Sequence, residues 1–312
     1  MKSFWSNLAP NSKGALLMIL SGLTYSFVAA QVKTLSQPGG LHGFEITFFR
    51  ALFGFICLFP FLAAAGKAGF RTQYLGKHVW RGVLGSVSVF CAYIGIGKLA
   101  LANYTALSFT KPLFAVILAF LILGEQVRWR RWAATIIGFL GVLVMIRPGA
   151  DTFSPWAFLA LGDAFAIAFL ITIVKKLPES ETELVMMFYY GLVAILIALP
   201  FALWVWRWPT PFEWLLLAGI GFLGALSQYL WILAFRAGEA SAVAPFDYLR
   251  LLFAGMVGIA LFSEYPDLWT IGGAVIVVAS TVYIAQREAR LQRAGEKNAV
   301  KAEAIAAERP GL

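Results

Sequence analysis

Five charged side chains interrupt otherwise apolar stretches of this sequence: Arg50, Lys111 and Arg250 as cations, Asp163 and Asp247 as anions. Inside a membrane a charge at mid-helix costs about 2.5–3.5 kcal/mol even on insertion scales, so each asks for a partner or a task. Lys111 and Arg250 share a position, since each precedes a glutamate, Glu125 or Glu264, by fourteen residues. At 1.5 Å per residue that is about 21 Å of helix, which sets both cations near the middle of a span that the glutamate ends. Asp247 precedes Arg250 by three on one helix face, so mutual neutralisation and substrate contact are both open to that pair. Lys111 has no acid in its own segment, and Asp163 is the acid another helix can bring to it. Pro112 weakens the backbone ladder beside it and marks a bend toward a cavity.

The central site expected from these residues is Lys111, Arg250 and Asp247, with Tyr229 and Trp231 as aromatic walls. Gln31, Tyr93, Asn103, Tyr104, Thr110 and Gln228 supply further donors and flat faces. Gate or structural roles are expected for Arg50, Asp163, Glu125 and Glu264: Arg50 lies about six residues into its apolar run, within snorkelling reach of the outer surface, and the two glutamates read as solvated charges at membrane boundaries. With all five buried charges ionised the set carries +1, which favours a solute bearing an anionic group such as a carboxylate and leaves a neutral heterocycle open.

The elements that hold these groups are membrane helices. Of 312 residues, 60% are hydrophobic and 13% charged, against about 25% charged in a soluble domain. About twenty apolar residues cross a bilayer. Ten stretches approach that length: 14–32, 44–65, 79–98, 102–123, 131–147, 155–174, 184–204, 213–235, 241–262 and 268–285. Their runs are continuous rather than alternating, which excludes a barrel, and a spanning helix satisfies its own backbone. The fold class expected is an all-α integral membrane protein.

An internal repeat organises the ten spans. Shifted by 139 positions, Gly82, Gly85 and Ser88 fall on Gly221, Gly224 and Ser227, Lys111 falls on Arg250, and Gly141 falls on Ser280. Each copy holds five spans, an odd number, so the second must lie upside down relative to the first. The expected division is a cytoplasmic N-terminus over 1–13, a first repeat over 14–147, a linker over 148–154, a second repeat over 155–286 and a charged tail over 287–312. Inverted repeats with polar groups near the midplane are the pattern of secondary transporters.

The net charge of +9 follows topology rather than a nucleic-acid footprint. With the N-terminus inside, eighteen cations fall on cytoplasmic segments and four (Lys33, Lys98, Arg147, Arg207) on external ones, which places both termini in the cytoplasm. The tail cations Arg287, Arg290 and Arg293 are suited to anionic lipid. Cys57 and Cys91 lie inside apolar runs and read as free thiols. A phosphate-binding loop is absent, since the closest candidate at Gly97-Lys98 has Ala92 and Leu99 at the required glycine and hydroxyl positions. No cofactor or metal site is expected, with His42 and His78 both read into loops on opposite sides.

Phe48-Phe49-Arg50-Ala51, the stretch from Thr110-Lys111-Pro112 to Leu123-Gly124-Glu125, and Leu261-Phe262-Ser263-Glu264 resemble the EamA-type permeases of the drug/metabolite transporter superfamily. The resemblance covers residues 12–286 and implies two inverted five-helix repeats. Its members move amino acids, S-adenosylmethionine, riboflavin, nucleotide sugars and drugs. Leu251 stands where the first copy has Pro112, and Ser263 where it has Gly124. The function expected is a permease for a small organic solute in the inner membrane. The alternatives are a membrane-embedded enzyme, for which only Asp163 and Asp247 are available as buried acids, and a non-transporting sensor or scaffold. Coupling to protons and assembly as a homodimer are left open.

Overall fold

Continuous apolar runs bounded by Pro, Gly and capping residues leave the helix as the structure that pairs every backbone group, and a computed structural model shows helices throughout. It describes residues 10–66, 72–124, 129–148, 154–174, 183–238 and 243–307. The first half contains α1 (Pro10–Leu35), α2 (Gly43–Ala65), α3 (Leu75–Lys98), α4 (Leu101–Ser108), α5 (Lys111–Leu123) and α6 (Trp129–Ile146). The second contains α7 (Ala157–Val174), α8 (Glu183–Trp204), α9 (Pro211–Ala237), a 3-10 turn (Ala244–Tyr248), α10 (Leu249–Phe262) and α11 (Leu268–Ala307). Nine described segments are long and apolar enough to cross a membrane, and Ala157–Thr172 is a shorter apolar helix. The last helix continues through the charged tail as far as Ala307.

Local signals set the helix ends. His42 starts α2: the Phe44 amide donates to its Nδ1 at 3.3 Å, and its own amide donates to Glu45 at 3.1 Å. Thr210 starts α9 in the same way with Glu213. Gly124 ends α5 with a left-handed φ of 66°, a conformation a side chain disfavours. His78, expected in a loop, lies in α3 at 1% exposure and stacks on Tyr189.

Packing follows an inverted two-fold relation. Helix α3 packs on α7 and its counterpart α9 packs on α1; α3 meets α8 as α9 meets α2; α5 lies on α7 as α10 lies on α1. The remaining major pairs, α2 with α8 and α6 with α11, join counterparts to each other. Small residues permit the close crossings. A Cβ on Gly82 or Gly85 would strike Val193 or Tyr190 of α8, and one on Gly221 would strike Phe53 of α2.

Candidate functional site

Both copies break their fourth span just before the cation. The expected single helix over 102–123 is two pieces: α4 ends at Ser108, the chain tightens through Phe109 and Thr110, and α5 begins at Lys111 with Pro112 as its second residue. The tightening is of the 3-10 type, with Phe109 N to Ala106 O at 3.2 Å and Thr110 N to Leu107 O at 3.1 Å. In the second copy the 3-10 turn Ala244–Tyr248 precedes α10, and Arg250 is the second residue of that helix. Neither half-helix start has a side-chain cap. Each half-helix start therefore carries a cation, with the carbonyls of the preceding turn taking its first amides.

The cations have different neighbours. Lys111 Nζ lies 3.9 Å from Asp163 Oδ2, so the acid that another helix could bring does arrive. Asp163 also accepts from Ser88 Oγ at 2.6 Å and from the Tyr104 hydroxyl at 2.8 Å, which makes it the hub of α3, α4, α5 and α7. Arg250 makes no ion pair with Asp247 or any other acid among the described residues. Asp247 lies in the 3-10 turn and Arg250 in the α-helix that follows it. Its guanidinium instead lies over Tyr25 at 4.8 Å and Phe109 at 5.0 Å. Its Nε is buried without an acceptor. Phe109 and Tyr248, equivalent residues of the two copies, pack together at 4.9 Å across the two-fold relation.

Other expected site residues are placed differently. Arg50 does not snorkel outward; its guanidinium turns into the bundle, 5.9 Å over the Tyr93 ring. Tyr229 is 59% exposed, and Trp231, 41% exposed, packs on Phe235 two turns beyond Gly224. The structure does not bring these two rings to the charges. The aromatic faces there are Tyr25, Tyr93, Tyr104 and Phe109, supplied by other helices. Glu264 is not a solvated end charge: it pairs with Lys33 and accepts from the Leu101 amide at 2.9 Å, tying α10 to α1 and to the start of α4. Glu125 lies outside the described residues.

Two buried charges escaped the sequence reading. Lys33, 6% exposed, also donates to Leu99 O at 2.6 Å. Glu45, 1% exposed, accepts from the Arg207 amide at 2.8 Å. With Phe48, Phe49, Trp206 and Trp214 packed beside them, they close the end of the bundle where α1 and α10 finish. At the same end, Asp267 pairs with Arg147 and accepts from the Thr270 amide at 2.8 Å. Those Thr270 bonds, with the nearby guanidinium, hold its carboxyl below the usual range.

Comparison with known proteins identifies the family of this inverted bundle. The EamA-like transporter family matches residues 12–147 and again 154–286. This chain belongs to that family. It is 36% identical over 275 residues to the S-adenosylmethionine uptake transporter of Rickettsia prowazekii, covering 88% of this chain and 93% of that protein. It is 33% identical to the riboflavin transporter of Vibrio cholerae, covering 90% and 95%. The pseudopaline exporter of Pseudomonas aeruginosa is 29% identical, covering 88% and 96%. One solved crystal structure shares the fold at a TM-score of 0.60 and 20% identity, covering 90% of this chain and 99% of the other. The chain is thus a multi-pass membrane transporter of small metabolites and not an enzyme.

Proposed function

We propose that this protein is a secondary carrier in the cytoplasmic membrane, moving a carboxylate-bearing metabolite with a flat heterocycle, of the S-adenosylmethionine kind, by alternating access between its inverted halves. The observation that carries this reading is the placement of Lys111 and Arg250 at equivalent helix breaks of the two copies, with Tyr25 and Phe109 rings against the Arg250 guanidinium. Fixed cations at such helix breaks recognise anionic groups. Arg250, with its free Nε, suits the carboxylate. The Lys111–Asp163 pair, netting zero, suits a zwitterionic or cationic centre beside that carboxylate, and the rings accept an adenine-like plane. S-adenosylmethionine carries all three features, and a transporter of that compound is 36% identical to this chain.

The cation bias of the loops supports a reading in which the Lys33–Glu264 end faces outside and both termini lie in the cytoplasm. The conformation is then inward-facing, with the Lys33–Glu264 tie holding the outer door shut. The test is uptake of labelled S-adenosylmethionine by proteoliposomes. Saturable flux that excess unlabelled compound suppresses supports the reading, with flux lost in the charge-balanced double variant Lys111→Gln with Asp163→Asn although the protein stays folded. Background flux in the wild type, with riboflavin equally inert, rejects it.

A further inference from the structure

A cleft of about 290 Å³ opens at the end of the bundle where α3 and α8 begin and α9 finishes. Its walls are mostly apolar, including Phe55, Leu170, Met186, Met187 and Ile232. Two guanidiniums also line it, Arg81 toward the mouth and Arg50 deeper. Tyr190 stands between them: Arg81 lies 5.5 Å over its ring, and the Tyr190 hydroxyl is an electrostatic neighbour of Arg50. Arg81 spends one donor on Met186 O at 2.7 Å. Neither arginine makes an ion pair with an acid among the described residues. Gly224 keeps the side of Arg50 open, since a Cβ there would still lie 3.8 Å from its Nε. Beyond Arg50 comes Tyr93, one of the rings near the central charges.

Two guanidiniums that no described acid pairs with, in a low-dielectric cleft, are costly unless an anion is there to use them. A guanidinium fork matches a carboxylate in two bonds, and methionine and aromatic walls adapt to a flat apolar body. We infer that this cleft is a second binding station, where Arg81 and then Arg50 hold the carboxylate of a soluble molecule whose flat body rests against Phe55, Tyr190 and the methionines. It deepens the proposed transport reading by giving the solute a waypoint between the mouth and the central chamber. Its chemistry does not depend on which metabolite is carried.

The test uses the wild-type protein in nanodiscs of zwitterionic lipid, with 1-naphthoate and 1-naphthamide as probes of one shape and different charge. Modification of Arg81 by phenylglyoxal is read by peptide mass spectrometry. Naphthoate should protect Arg81 at a concentration about tenfold or more below that needed for naphthamide, equivalent to about 1.4 kcal/mol. Arg50→Gln should weaken that protection about tenfold or more. Equal protection by both probes, or none by either, overturns the station. So does protection by phosphatidylglycerol that naphthoate cannot relieve, which would make the cleft a lipid site. Failure of S-adenosylmethionine flux with naphthoate protection intact would reject the substrate reading and leave the station standing.

Discussion

Lys111 and Arg250 occupy one position in two copies of the same unit, yet their surroundings have diverged. Lys111 faces Asp163 on α7, whereas Arg250 faces α1 at Gly22, where a Cβ would lie 3.5 Å from its own Cβ, and rests on two rings. The repeated serines show where the difference arose. Ser88 donates to Asp163, while its counterpart Ser227 bonds to Ser21 through hydroxyl and carbonyl at 2.8–3.0 Å. Duplication kept the cation and the helix break in both halves, but among the described residues an acid lies within ion-pair distance of only one of them. A balanced charge can hold helices together in every conformation. On the proposed reading, one without an ion-pair partner keeps its bonding capacity for the solute.

The sharpest way to break this contrast is at Asp163. Asp163→Asn leaves Lys111 without its counter-charge and, with one amide oxygen in place of two carboxylate oxygens, an acceptor for only one of Ser88 and Tyr104, a loss of about 3–5 kcal/mol. Folded yield and melting temperature should fall steeply. The double variant Asp163→Asn with Lys111→Gln should recover much of the yield and still fail to transport. Full flux in the double variant would show the pair to be structural only.

Smaller effects separate the copies at their glycines. Gly85→Ala drives a Cβ into Tyr190 and should cost about 1–3 kcal/mol. Its counterpart Gly224→Ala meets only Arg50 Nε, at 3.8 Å, and should be neutral or stabilising by up to about 1 kcal/mol. Equal melting shifts for the two would contradict the packing described. Asp247→Asn should be the mildest, below about 1 kcal/mol, because no ion pair to Arg250 is lost. A drop in the several-kcal/mol range would restore the mutual neutralisation that the sequence left open.

Much of the fold was legible in the sequence because long apolar runs and a gap-free 139-residue shift are local and periodic signals. The central cations were legible for the same reason. Their neighbours were not. Tyr229 and Trp231 stand near Gln228 along the chain, but the rings that touch Arg250 come from α1 and the α4–α5 turn, contacts only folding creates. The repeat shift that equates Lys111 with Arg250 also equates Phe109 with Tyr248, and that signal could have found this ring pair. Lys33 and Glu45 were missed because they sit near helix ends, where hydropathy suggests solvent and the structure supplies partners. Pro112 signalled the first helix break; in the second copy Leu251 takes that place, and the proline stands earlier, at Pro245.

The claim that Arg250 is kept free for the solute's carboxylate is tested most directly by comparing S-adenosylmethionine with its decarboxylated form, in binding to wild-type and Arg250→Gln protein. Charged hydrogen bonds of about 1.5–3 kcal/mol predict a wild-type preference of roughly ten- to hundredfold for the carboxylate form. The variant, which loses no ion pair, should stay folded and bind the two compounds alike. A folded Arg250→Gln protein that keeps the full wild-type preference would contradict the account.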